Sequence, residues 1–330
     1  MKSQTGEMHE IYKPKLQLAS PCVSPDGKYV ALIEGLMSDE GSTGGDIYVV
    51  PIVGGASRNL TPNIKSSPLA LAWTTPDRIT FAENVDGNSG FGSVRIKGGA
   101  IQKLWTGEEA AYPHEAWTRT GSLANDNRFT AMVRQSASTP PEVWAGPIGQ
   151  WKQLTNLNAA AKPAWGEMHS VHWMNGAARL MLPKDFTPDK TCPLVVNVHG
   201  GPSSACASHG DTQGMGLQSA MGYFALCPNA RGSYGQGETF TQGNVKDFGG
   251  GDFRDILAGI DALSKQYPID HKRVGIRGHS YGGYMTMWAE TRDASFRSGG
   301  GGRWPLRLAE LLRLERHRRV DDSLLRRFDI

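Results

Sequence analysis

The chain of 330 residues carries a formal net charge of +3 and a mean hydropathy of −0.40, with 39% hydrophobic and 20% charged residues. That balance excludes a disordered polyelectrolyte and a multi-span membrane protein, and the length suits about two domains. No apolar stretch is long enough to cross a bilayer, and residues 1–7 lack the apolar core of a signal peptide. A cytoplasmic location is therefore expected of the sequence as written, whereas an intact ancestor with a leader would be secreted or periplasmic.

The N-terminal half contains an internal repeat. Ser24-Pro25-Asp26-Gly27-Lys28-Tyr29-Val30-Ala31 is echoed by Thr75-Pro76-Asp77-Arg78-Ile79-Thr80-Phe81, and more weakly by residues 125–131. Each copy runs into a strand and a glycine turn: residues 46–51 then Gly54-Gly55, residues 93–96 then Gly98-Gly99, residues 142–145 then Gly149. A period of about 50 residues, short strands and Pro-Asp turns predict propeller blades rather than unrelated hairpins of a small β-domain. About three blades are expected in residues 1–165, as a partial all-β propeller. Residues 156–170 shift in composition and are expected to bridge to a second domain. His169 and His172 flank an edge-strand candidate there, without a third ligand that would make a metal site.

From about residue 166 the pattern becomes α/β. Pro193-Leu194-Val195-Val196-Asn197-Val198 is a continuous apolar run of the kind found in a buried parallel strand. It ends in His199-Gly200-Gly201-Pro202, where glycines let backbone N–H groups face a ligand. Residues 223–228 give a second strand. Phe253, Ile256, Leu257, Ile260 and Leu263 recur at helical spacing and predict an amphipathic helix over 252–265. The glycine-rich stretch 232–237 has neither a Gly-Lys-Ser/Thr ending nor the spacing of a dinucleotide fingerprint, so nucleotide binding is not expected. A strand over 272–277 and a helix over 284–290 then flank Gly278-His279-Ser280-Tyr281-Gly282. This fits Gly-x-Ser-x-Gly, the nucleophile elbow, in which a serine sits on a sharp strand-to-helix turn. Ser280 is the candidate nucleophile. The backbone N–H groups of Tyr281 and of Gly200 or Gly201 are the candidate oxyanion hole. Gly278, His279 and Gly282 complete the elbow.

From residue 298 onward the composition changes. Residues 298–330 hold eight Arg, no Lys, seven Leu and five acidic residues, while the rest of the chain holds 27 basic and 27 acidic residues and is neutral. One reading of this tail is a basic helix for nucleic acid or membrane. The other is translation of GC-rich DNA in the wrong frame. The genetic code permits codons for residues 297–322 that, read from their second nucleotide, spell A-A-V-A-G-A-G-G-L-S-D-W-Q-S-Y-Y-G-L-N-G-I-D-E-W-M. Residues 298–330 are therefore expected to be an out-of-frame tail. With it discounted, the charge gives no case for a nucleic-acid partner, nor does the sequence for a membrane.

Between about residues 180 and 297 the chain resembles the prolyl oligopeptidase family of serine peptidases, closest to the dipeptidyl-peptidase and acylaminoacyl-peptidase branches. The resemblance is carried by Leu182-Pro183-Lys184-Asp185-Phe186, His199-Gly200-Gly201-Pro202, Asn229-Ala230-Arg231-Gly232-Ser233, Asp247-Phe248-Gly249-Gly250 and Gly278 to Met285. It implies a β-propeller packed on an α/β-hydrolase domain, the N-terminal part of which would occupy residues 166–297. It also implies cleavage of short peptides by a Ser-Asp-His triad, with peptide as partner and no cofactor. The out-of-frame reading resembles the family's next strand. The triad's Asp and His are expected to be absent. After Ser280 the only histidine is His317, with Asp293, Asp321, Asp322 and Asp329 as acids, and all but Asp293 lie in the tail. His199 is expected to shape the oxyanion turn rather than act as base, and His279 to face solvent or pack. The expected product is an elbow without a base, with weak esterase-like reactivity, and a poorly soluble chain whose elbow strand lacks a neighbour. A carboxylesterase or lipase of the same fold is the first alternative, disfavoured by the blade repeat. A non-catalytic propeller binding module is the second. Cys22, Cys192, Cys206 and Cys227 show no metal spacing and are expected to be reduced core residues. The oligomeric state is left open.

Overall fold

The computed structural model describes residues 6, 8–38, 42–111, 121–124, 129–208 and 214–296. The expectations placed on residues 125–128, on His317 and on the tail lie outside them.

Three four-stranded antiparallel meanders come first. The first holds β1 (Gln17–Val23), β2 (Tyr29–Gly35), β3 (Asp46–Pro51) and β4 (Arg58–Asn59). The second holds β5 (Ser67–Thr75), β6 (Arg78–Val85), β7 (Asn88–Arg95) and β8 (Gln102–Gly107). The third holds β9 (Gly121–Leu123), β10 (Phe129–Arg134), β11 (Glu142–Pro147) and β12 (Lys152–Gln153). The repeated Pro-Asp segments are the β1–β2 and β5–β6 turns. In the first, Ser24 Oγ donates to Asp26 Oδ1 at 2.7 Å and accepts the N–H groups of Lys28 and Tyr29 at 3.1 and 2.9 Å. In the second, Thr75 donates to Asp77 at 2.6 Å. Such side-chain-to-backbone turns fix the register of the strands that follow. Adjacent sheets share cores: Ile47 and Val49 with Trp73 and Phe81, then Phe91 and Ala82 with Met132 and Trp151.

The remaining strands form one mixed sheet. β13 (Met168–Trp173), β14 (Gly176–Met181), β15 (Cys192–Val198), β16 (Phe224–Asn229) and β17 (Ile269–Gly278) lie in the order β13-β14-β16-β15-β17. β15 runs parallel to both β16 and β17. The sheet is not parallel throughout as the sequence suggested, because the tight turn between Trp173 and Gly176 folds β13 and β14 into a hairpin that joins β16 antiparallel. β13 also takes the last three residues of the stretch expected to be linker. Helices α1 (Met215–Ala220), α2 (Glu238–Thr241), α3 (Gly251–Ser264) and α4 (Tyr281–Arg292) follow the strands. Ile256, Ile260 and Leu263 of α3 and Met285 and Ala289 of α4 pack with Leu194, Val196 and Val198 of β15. Burial on both faces explains why β15 reads as an unbroken apolar run.

The cysteine expectation needs correction. Cys206 and Cys227 are joined as a disulfide, with Cα atoms 6.1 Å apart. The loop after β15 is held against β16 because the Asn229 amide brackets Cys206, accepting its N–H at 2.7 Å and donating to its carbonyl at 3.1 Å. Cys22 and Cys192 are free thiols, and burial pushes the Cys22 thiol up to about 11.

The second meander and the mixed sheet meet through specific bonds. The fully buried Arg179 of β14 donates to the Asp86 carbonyl at 3.0 Å and to Asn88 Oδ1 at 2.7 Å. Asp86 N–H donates to the Gly235 carbonyl at 2.9 Å, and Gly235 N–H to Ser67 Oγ at 2.9 Å. His172 pairs with the Asp86 carboxylate.

Candidate active site

The C-terminal ends of parallel strands are where open α/β sheets gather ligands. Here two such ends lie side by side, because Val198 of β15 is in register with Gly278 of β17. The His199–Pro202 turn and the Gly278–Gly282 turn therefore emerge next to each other. Ser280 sits between β17 and α4 at φ 54° and ψ −119°, a conformation that L residues avoid. The turn closes at once: Gly282 N–H donates to the His279 carbonyl at 2.9 Å, and the N–H groups of Gly283 and Tyr284 to the Ser280 carbonyl at 2.9 and 3.1 Å. Ser280 is left exposed at the tip.

The glycines of the motif have identifiable causes. A Cβ at Gly282 would stand 2.0 Å from the Val198 carbonyl oxygen, and one at Gly278 would stand 2.5 Å from that oxygen and from the Gly282 carbonyl carbon. Only glycine allows α4 to start so close to β15. Gly200 faces the serine: a Cβ there would lie 3.4 Å from Ser280 Cβ and 3.9 Å from its Oγ. Gly201 takes φ 116°, open to glycine alone. Tyr281 begins α4, so its N–H has no helical acceptor and is offered beside Ser280.

His199 is buried, and desolvation pushes its pKa below the usual imidazole value. Its Nδ1 lies 2.7 Å from the Gly200 carbonyl oxygen, which can only accept, so Nδ1 carries the hydrogen. The neutral ring then accepts at Nε2 from the Ser233 hydroxyl, 2.9 Å away. Both nitrogens are thus committed away from Ser280, and the ring fixes the Gly200–Gly201 peptide. His279 is exposed beside the serine. No hydrogen bond joins Ser280 Oγ to a histidine among the described residues.

The family model for the prolyl oligopeptidase family matches residues 211–300, the segment holding β16, α3, β17 and the elbow. Over that segment the chain is similar to the prolyl oligopeptidase family. It is 26% identical to the uncharacterized peptidase YuxL of Bacillus subtilis, covering 89% of this chain and 55% of that protein. It is 23% identical to dipeptidyl-peptidase 5 of Porphyromonas gingivalis, covering 86% of this chain and 42% of that one. The fold is similar to that of the Pyrococcus horikoshii acylaminoacyl peptidase, with a TM-score of 0.68 at 22% identity over 88% of this chain and 45% of that one. The chain spans about half the length of the relatives it matches.

The structure brings Ser280, Tyr281, Gly200 and Gly201 together and places His199 behind them. The histidines of β13 do not converge. His169 bonds Tyr267 at 2.8 Å and His172 bonds Asp86, from opposite faces of the strand. The large cavities lie elsewhere. One of about 640 Å³ lies between the modules, lined by Lys65, Asp86, His172, Trp173, Arg231 and Gln236, and does not include Ser280.

The sequence reading missed Asp252. This residue of α3 is 2% exposed and accepts the Tyr281 phenol. It also accepts Phe253 N–H at 2.8 Å and Asn244 Nδ2 at 3.3 Å. Burial raises its pKa. The Tyr281 phenol is raised too, by burial first and then by the Asp252 charge. The signal was present: Asp252 precedes Ile256 and Ile260 at four-residue spacing, a carboxylate in the apolar stripe.

Proposed function

We propose that this chain carries the nucleophile half of a serine peptidase site, cleaving short peptides through an acyl-enzyme on Ser280. The observation that carries the reading is the strained Ser280 backbone on a strand-to-helix turn, packed against the His199–Pro202 turn. On this reading residues 166–297 are the N-terminal part of an α/β-hydrolase domain and residues 1–165 are about three propeller blades. The names of the relatives support a peptide rather than an ester as substrate.

In the proposed reaction Ser280 Oγ attacks the scissile carbonyl carbon and loses its proton to a base. The carbonyl oxygen takes negative charge and is held by the N–H of Tyr281 and that of Gly200 or Gly201. Collapse expels the amine with a proton and leaves the acyl group as an ester on Ser280. Water then attacks that ester, releasing the acid and restoring the hydroxyl. His199 does not serve as the base, since its hydrogens and lone pairs are committed to the turn.

On our reading, a one-nucleotide loss near codon 297 puts the residues after it out of frame. Phe296 forms an isolated parallel bridge with Val274 of β17, just before the composition turns to Gly and Arg. The shifted frame there resembles the family's next strand. Activity of the chain as written should accordingly be weak. The test is to resequence the DNA from codon 270 to several hundred nucleotides past codon 330, and to assay the frame-restored product on aminoacyl p-nitroanilides. A restored frame with a downstream Asp and His, and Ser280-dependent cleavage, is the expected result. No readable alternative frame would overturn the frame reading. A restored product whose activity survives Ser280→Ala would overturn the peptidase assignment.

A further inference from the structure

This inference rests on the reading of Ser280 as nucleophile and of the Tyr281 N–H as an oxyanion donor. We infer that Asp252 is a positioning residue of that site, holding the Tyr281 backbone N–H in place through the Tyr281 phenol.

The elbow needs an outside anchor. Ser280 holds a costly backbone conformation, and no side chain caps the N-terminus of α4. Strain of this kind persists only where the surroundings over-determine it. Two glycine contacts fix the turn from below. The Tyr281 side chain fixes it from the side, because its ring meets Phe248 edge-on at 5.0 Å and its hydroxyl donates to Asp252. Asp252 is itself fixed by Phe253 N–H and by Asn244. The carboxylate therefore links the first turn of α3 to the first residue of α4. Because burial keeps the Tyr281 phenol protonated, the donor in this link is retained across the working pH range.

The two proposed oxyanion arms are braced in the same place. A cavity of about 20 Å³ beneath the elbow is bounded by His199, Pro202, Ser233, Asp252 and Tyr281. His199 orients the Gly200 side from this chamber, and Asp252 orients the Tyr281 side. An aspartate kept only to favour the N-terminus of α3 would have no need of the phenol.

The test is acylation of the full chain by p-nitrophenyl acetate, followed by mass, in wild type, Asp252→Ala, Asp252→Asn, Tyr281→Phe and the Asp252→Ala/Tyr281→Phe double variant. Ser280→Ala is the control for the underlying reading. We expect Asp252→Ala and Tyr281→Phe each to slow Ser280 acylation about ten- to a hundredfold, the loss typical of a donor misplaced by about 1 Å. The double variant should be no slower than the worse single variant, and Asp252→Asn, which can still accept from the phenol, should recover most of the rate. Additive losses, or an Asp252→Ala rate within about twofold of wild type, would overturn the inference. If acylation is unchanged in Ser280→Ala, the nucleophile reading fails instead. The inference about Asp252 is then decided by the backbone amide resonance of Tyr281 in ¹⁵N-tyrosine-labelled chain, identified by its loss in Tyr281→Phe. A resonance shifted by Asp252→Ala supports the anchor, and an unmoved one refutes it.

Discussion

Gly282 lies directly under the carbonyl of Val198, where an added Cβ would come within 2.0 Å of the oxygen. This one approach sets how close α4 stands to β15, and so where Ser280 is presented. Gly282→Ala must push the helix start away from the sheet, and should cost about 3 kcal/mol of stability in urea unfolding. Gly200→Ala offers the contrast. Its Cβ would meet Ser280 Cβ at 3.4 Å, an ordinary contact. That variant should fold with a melting temperature near wild type, yet slow Ser280 acylation at least about tenfold by crowding the proposed nucleophile.

His199 should give stability a pH dependence. Burial lowers its folded pKa below the ordinary value of 6.5. Below 6.5 the unfolded state binds a proton that the folded state refuses, so stability is full above that pH and falls as pH drops toward the folded pKa. The slope contributed is at most about 1.4 kcal/mol per pH unit. His199→Asn, which can still donate to the Gly200 carbonyl, should flatten that part of the curve between pH 7 and 5. An equally steep curve in the variant would assign the dependence to other groups.

How legible was this in the sequence? Each local pattern that depends on neighbours in the chain came through. The run 193–198 is β15, the spacing from Phe253 to Leu263 is α3, and the Pro-Asp repeats are strand turns. The strand-to-helix turn that carries Ser280 was readable from its glycine spacing, and Gly278 closes on Gly282 within the motif itself. What depends on distant partners did not come through. Asp252 lies 29 positions from the phenol it anchors. Cys206 and Cys227 carry no spacing signal; the Asn229 bracket and a shared apolar cluster with Met181 and Met215 bring them together. The hairpin of β13 and β14 was hidden because β13, at the sheet edge, has the polar, half-exposed residues of a linker, whereas β14 is buried throughout.

The disulfide has a measurable consequence. It closes a separation of 21 residues, which corresponds to about 3 kcal/mol of stabilisation. Dithiothreitol should lower the unfolding free energy by about that amount, and Cys206→Ser/Cys227→Ser should be equally destabilised but insensitive to reductant. Thiol titration of the denatured, unreduced chain should find two groups, Cys22 and Cys192. Four would refute the pairing.

The link between modules is open to a similar test. Asn88→Ala removes an acceptor from the buried Arg179 guanidinium, at a cost of about 2 kcal/mol. Because the bond crosses from the second meander to the mixed sheet, calorimetry should show one transition in wild type separating toward two in the variant. A single transition merely shifted downward would mean that the modules do not depend on this bond for their coupling.

Ser280 is the proposed acyl-accepting nucleophile. The most direct measurement is to incubate the full chain with a fluorophosphonate and map the modified peptide by mass spectrometry, with Ser280→Ala alongside. A slow, stoichiometric adduct on Ser280 that vanishes in the variant is expected, while other serines stay unmodified. An adduct on another residue, or a labelling rate at Ser280 no greater than that of other exposed serines, would contradict that assignment.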